Sequence, residues 1–432
     1  MTDTPASSAT CASVTRFEPA DDSMATSLTR LCIVTHMSDT PAWSPRRLIA
    51  AAIVAFAAFG AFWGVWGASV PRVQRQAGLD DGGLGFALLF VGAGALPSML
   101  LMGRALDRWG PRIAGVAIAA LGCAGAGMVL TAVNLASLCA GLAVVGATSG
   151  AADVAMNAVA GRAERTAGRP VITRAHGVFS GLVVLASLAT GSVASLPVAV
   201  PFAAVAVVSL AAGAALVRAL GAGSAGQARE HVAEAEPAPS GRARLVPFVL
   251  IGTLGALGFA AENAHESWSA VFAHDELHSG AGLSAVAPAV FAGVVAVTRF
   301  AIGGLGAAHA RAVLLGGATA AAIGAALIAA APTLLVAAAG LAVAAAGTAV
   351  LFPTLLGIVA RDVRESGRGR ATSVVSTVSY LGFLLGPVYV GLWADAVGLR
   401  GAMLAIAALA AALLVLTPAL LRVSGLGHRA AR

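Results

Sequence analysis

Gly103-Arg104-Ala105-Leu106-Asp107-Arg108-Trp109-Gly110-Pro111-Arg112 lies between two apolar runs, 84–103 and 113–131, each long enough to cross a bilayer. The stretch holds three arginines and one aspartate in a chain of which only 11% is charged. Such a segment reads as a tight turn at a membrane face. Gly103 and Gly110 let the backbone reverse with other helices close by, and the arginines hold the turn at an anionic cytoplasmic surface. Asp107 can accept hydrogen bonds from the free N–H groups of a helix start. An ordinary basic loop would explain the arginines, but neither the glycine spacing nor the single acid.

The composition sets the class. Apolar residues make up 58% of the 432, mean hydropathy is +0.87, and charge is less than half the ~25% usual in soluble domains. A water-soluble fold cannot hide that much apolar surface, so an all-α polytopic membrane protein is expected, with the lipid bilayer as its surroundings. All 27 basic residues are arginines, and the net charge of +7 reads as a topology signal, with no nucleic-acid partner. Cys11, Cys32, Cys123 and Cys139 have no metal-ligand spacing and imply no disulfide framework. No cofactor is expected.

Taken in order, residues 1–45 are polar and lack an apolar core long enough for a signal peptide. They read as an N-terminal extension, either disordered or, given Met37 shortly before Arg46 and Arg47, untranslated. Twelve apolar spans follow, near 48–70, 84–103, 113–131, 135–160, 177–197, 199–219, 246–271, 283–303, 312–331, 333–357, 372–396 and 401–422. Residues 221–245, rich in Gly, Ala, Pro and Glu, read as a cytoplasmic linker between a first half, 46–220, and a second, 246–422, with 423–432 as a tail. With the N-terminus inside, the cytoplasmic segments hold 22 arginines, Arg299 and Arg311 among them, and the outer loops three, Arg72, Arg75 and Arg400. This places both termini in the cytoplasm, in a bacterial inner membrane.

The halves repeat each other. A shift of 199 residues lays Arg162, Arg165, Gly168 and Arg169 on Arg361, Arg364, Gly367 and Arg368, and Arg112 on Arg311. One offset serving several separate loops argues internal duplication. Asp107 and Arg108 fall on Gly306 and Ala307, so the second half lacks the charged part of the turn. The pattern Gly-x-x-x-Asp-Arg-x-Gly-x-Arg at 103–112, followed by this architecture, resembles the major facilitator superfamily of secondary transporters, where it marks the loop after the second span. The resemblance implies two pseudo-symmetric six-helix bundles that alternate access to a site near the membrane midplane. It also implies a conformational switch formed by Gly103, Asp107, Arg108, Gly110 and Arg112, with Asp107 docking on the start of the eleventh span near Ser373–Ser376.

Ionisable groups inside spans are costly and so point to function. Asp153 and Asn157 are four apart in the fourth span and share a helix face. An acid beside a neutral hydrogen-bonding group suits a proton-coupled site for a sugar-like solute. The pair is similar to the fucose permease group, which implies Asp153 as the coupling acid and Asn157 as a solute contact. The alternative is a structural acid paired with Arg165 or His176. In the seventh span, Glu262-Asn263-Ala264-His265-Glu266-Ser267-Trp268 interrupts an apolar helix. Glu262 is the second proton-coupling candidate and Asn263 a substrate-binding one, while Glu266 and Trp268 read as outer-interface residues. Glu262 and His265 have the spacing of half a carboxylate metal site, but the other half is absent and no metal is expected. Trp63 and Trp66 in the first span are placed to stack on a sugar ring or to anchor the helix.

His176 and Ser180 share a face, but nothing supplies a triad or oxyanion hole, so the chain is not expected to be an enzyme. The superfamily's antiporter signature is missing from the fifth span; a similar string, Gly382-x-x-x-Gly386-Pro387-x-x-x-Gly391, stands in the eleventh. The expected function is a monomeric secondary transporter for a small-molecule substrate, with protons as the coupling ion in symport. The alternatives are a drug or metabolite efflux antiporter, and a membrane sensor that binds without transport.

Overall fold

The computed structural model describes residues 44–221, 245–302, 309–363 and 365–426. The extension before residue 44, the linker from 222 to 244 and the tail beyond 426 lie outside the described residues. Ten helices run in order: α1 (Pro45–Gln76), α2 (Asp81–Trp109), α3 (Ile113–Thr131), α4 (Leu135–Ala167), α5 (Ile172–Ser192), α6 (Ala199–Gly221), α7 (Val246–Glu276), α8 (Ala281–Ala301), α9 (Ala310–Ala329) and α10 (Leu334–Asp362). A final run, Glu365–Ser424, breaks at Gly398, whose φ of 79° is left-handed. It therefore forms two crossings, α11 (365–397) and α12 (399–424). Unbroken, its 60 residues would reach about 90 Å, three times the hydrocarbon thickness of a bilayer.

The sequence sets the helix ends. Ser44 and Asp80 cap α1 and α2 by accepting from the amides of Arg47 at 3.3 Å and Gly83 at 2.7 Å. Asn134 and Ser137 form a reciprocal capping box at the start of α4, and Gly168 ends that helix in the left-handed conformation. The turn within 103–112 is shorter than its charge pattern suggests. α2 continues to Trp109, and the reversal is confined to Gly110, with φ 70°, Pro111 and Arg112. Gly103 stays helical and touches nothing: a Cβ there would meet no atom within 4 Å.

α1–α6 form one bundle and α7–α12 the other. Their outer surfaces are apolar, with Leu130 68%, Leu335 81% and Val415 73% exposed, which suits lipid rather than water. The halves pack alike: α1 lies against α5 as α7 lies against α11, and α2 against α4 as α8 against α10. The bundles meet along α2 with α11 and along α5 with α8, partners that the pseudo-symmetry exchanges.

The Gly382-to-Gly391 string is a packing surface. Gly382 and Gly386 receive the backbone of α7 at Ala256 and Ala260. Gly391 crosses Gly85 of α2 so closely that a Cβ on Gly391 would lie 2.7 Å from the Gly85 Cα.

The places where backbone of one bundle meets backbone of the other lie at one end of the molecule. At the arginine-poor end, Gly85 meets Gly391, Gly191 meets Gly282, and Arg75 of α1 donates to His274 of α7. At the arginine-rich end, α4 has no substantial packing with α10 or α11 among the described residues, and Asp107 is exposed. The structure is closed at the arginine-poor face; at the other, Phe300 of α8 still packs on Gly177 of α5, and the opening lies between α4 and the pair α10 and α11. Gly391→Leu should hold the closed face apart. Spin labels at Leu196 and Val397, in a background lacking the native cysteines, should then report a longer distance by pulsed resonance. An unchanged distance would mean that this crossing does not limit closure.

Candidate functional site

The candidate site lies between the bundles, half-way along the helices. α4 contributes Asp153 and Asn157, both half-buried. The Asn157 amide donates to the Asp153 backbone carbonyl at 2.9 Å and to its carboxylate Oδ1 at 3.2 Å. Asp153 pairs with neither Arg165 nor His176. The His176 ring instead lies edge-on to Phe56 at 4.8 Å. Across the gap, Tyr380 of α11 is within electrostatic reach of both Asp153 and Glu262. It belongs to an aromatic cluster around Phe259 of α7, with centroids 4.3 Å to Phe352, 5.6 Å to Tyr380 and 6.1 Å to Phe383.

Two prolines organise the second bundle. Pro353 has no N–H, so the carbonyl four residues before it, Ala349, lacks its helical donor, and α10 is broken there between Thr348 and Leu351. Arg299 Nε reaches that carbonyl at 3.4 Å, while Arg299 Nη2 binds Glu262 Oε1 at 2.7 Å. Pro387 likewise frees the carbonyl of Phe383, which accepts from the Asn263 amide at 2.6 Å. Trp268 Nε1 donates to the Pro387 carbonyl at 3.1 Å. Side chains of α7 and α8 thus satisfy backbone groups that would otherwise sit unpaired inside the membrane.

This geometry revises several sequence expectations. Arg299, counted as a loop charge, stands within α8 and reaches inward to Glu262. Glu262 is therefore an ion-paired acid. Trp268 is fully buried rather than at the outer interface, and Glu266 lies within α7 near the Glu262–Arg299 pair. Asn263 is 8% exposed and engaged on Phe383 and Ser267. Glu262 and His265 diverge, since His265 Nδ1–H donates to the Ala261 carbonyl at 2.7 Å and its ring stacks on Phe291. Trp66 is 4% exposed in the core of the first bundle, whereas Trp63 is half-buried against Phe59 and Phe62. The eleventh helix begins at Glu365, two turns before Ser373, so its free starting amides belong to residues 365–368. Asp107 makes no hydrogen bond or ion pair among the described residues, and Arg108 lies over the Trp109 ring at 5.8 Å. Arg299 and Tyr380 were missed by sequence reasoning. Arg299 was discoverable as a charge four residues inside an apolar run; Tyr380 carries no such signal.

Helices long and apolar enough to cross a membrane thus stand in two pseudo-symmetric bundles with carboxylates held among them, the architecture of a secondary transporter fold. The sequence profile of the Major Facilitator Superfamily matches residues 51–309 and 296–430, and the chain belongs to that family. It is 28% identical over 335 residues to an MFS-type transporter of Yersinia pestis described as uncharacterized, covering 74% of this chain and 82% of that protein. Among solved structures it is similar to the nucleoside transporter NupG (TM-score 0.65, 15% identity, covering 88% of this chain and 99% of that one). It is also similar to a D-xylose-proton symporter (TM-score 0.66, 14% identity, covering 86% and 96%). At these identities the structural likeness shows the fold.

Proposed function

We propose that the protein is a proton-coupled symporter of a small polar, sugar-like solute. In this reading it works as a monomer in a bacterial inner membrane with both termini in the cytoplasm. The observation that carries the proposal is Asp153, a carboxylate inside a membrane-spanning helix, hydrogen-bonded by Asn157 and making no ion pair with an arginine or histidine among the described residues. Charge in such a place is costly, so the group takes up and releases a proton as its surroundings change. Asn157 and Trp63 supply a hydrogen-bonding group and an aromatic face for a polyhydroxylated solute. Nucleosides and D-xylose, the solutes named for two structural neighbours, are of this kind. Glu262 keeps Arg299 in place, and would accept a proton only when Arg299 leaves. Asn263 and Trp66 serve packing.

The arginine-rich face is the cytoplasmic one by the positive-inside rule. The structure then corresponds to the inward-facing state, with its periplasmic side closed. The switch residues Gly103, Asp107, Arg108, Gly110 and Arg112 act in the opposite state, when α2 and α11 approach at the cytoplasmic side and Asp107 meets the amides at the start of α11. Uptake by right-side-out vesicles with acid outside, screened over pentoses, hexoses and nucleosides, tests the proposal. Accumulation of a solute above its outside concentration is expected. Binding without accumulation would make the protein a sensor instead.

A further inference from the structure

Glu266 is a titratable group that the mechanism above does not use. It lies one helical turn from Glu262 on the same face of α7. Among the described residues it makes no hydrogen bond or ion pair. The charged groups that act on it are Glu262 of its own helix and Arg299 of α8. That single arginine is already committed, with Nη2 on Glu262 and Nε on the Ala349 carbonyl. Two ionised carboxylates one turn apart would repel each other in a setting that screens charge poorly, with one guanidinium between them.

From this placement we infer that Glu266 is a second proton-binding carboxylate of the transport cycle, working in alternation with the Glu262–Arg299 pair. The inference rests on the symport reading and adds a second proton to it. While Glu266 holds its proton, Arg299 stays on Glu262 and Ala349. When the proton leaves, Glu266 competes for Arg299 and draws it one turn along α7, away from the Ala349 carbonyl. The break at Pro353 in α10 then loses its side-chain donor. Proton release in the second bundle is thereby tied to movement of α8 against α10. Asp153 performs the corresponding exchange in the first bundle.

Infrared difference spectroscopy of the purified full-length protein in lipid, between acid and alkaline pH, reads protonated carboxyl groups directly and needs no solute. The wild type should lose carboxylic-acid C=O absorption as the pH rises. Glu266→Gln should remove one part of that signal and Asp153→Asn a different part. Glu266→Asp, which keeps an acid in place, should shift the Glu266 part rather than abolish it. This variant gives the answer if the glutamine variant does not fold. A signal unchanged in both Glu266 variants overturns the inference while leaving the symport reading intact. A signal that Glu266→Gln reduces and Asp153→Asn leaves unchanged supports the inference and counts against Asp153 as the proton carrier.

Discussion

Asp153→Asn is expected to abolish proton-driven accumulation while leaving solute exchange in place. The amide keeps the side chain's size and mimics the uncharged acid, so a solute that binds the protonated form should still bind and still cross with the rocking bundles. Net accumulation needs a group that gives up its proton on the cytoplasmic side, and an amide cannot. A gradient of one pH unit is worth about 1.4 kcal/mol for each proton moved, or about tenfold accumulation, and the variant should lose the whole of the share that Asp153 carries. Asp153→Glu should retain part of it. A purely structural acid would behave otherwise, with exchange and accumulation falling together through misfolding. Radiolabelled exchange and uphill uptake, measured in one vesicle preparation, separate the two.

Arg299→Leu should destabilise the protein more than removal of its partner does. It strands the Glu262 carboxylate and the Ala349 carbonyl that Pro353 has freed. Leaving such groups unpaired costs on the order of 1–3 kcal/mol each, more for a charge that is wholly buried. The carboxylate left behind is 13% exposed, so the cost falls within that range, while the 43% exposure of Arg299 moderates what the intact pair contributes. Glu262→Gln should be milder, because an amide can still accept from the guanidinium. The double variant, Glu262→Gln with Arg299→Leu, should recover much of the lost stability without recovering transport. Thermal unfolding in detergent checks the order. An Arg299→Leu variant as stable as the wild type would show that the pair bears no structural load.

The fold was largely legible because the bilayer leaves few options. Runs of about 20 apolar residues must be helices, and the arginines and the repeat at 199 residues ordered them. The pairing in the first part of the candidate site was legible for the same reason: Asp153 and Asn157 are polar residues in an apolar helix, and their spacing already put them on one face. The second part was not. Whether Glu262, Glu266 or neither is free depends on Arg299, which is 37 residues away along the chain and belongs to another helix. The role of Asn263 depended on the Phe383 carbonyl that Pro387 frees, and that of Trp268 on the carbonyl of Pro387 itself, tertiary contacts with no local pattern. The charged turn misled in one respect. Its charge pattern spreads over ten residues, although only Gly110-Pro111-Arg112 break the helix, since Gly103 carries no positive φ and meets no neighbour.

The most direct test of coupling is proton entry itself. Right-side-out vesicles loaded with a pH-sensitive dye, at equal pH on both sides, are given the solute that the uptake screen identifies. Symport predicts that the interior acidifies when that solute is added outside, and that Asp153→Asn vesicles, though still exchanging the solute, acidify less or not at all. An interior that turns alkaline, or stays unchanged while the solute enters, would contradict proton symport.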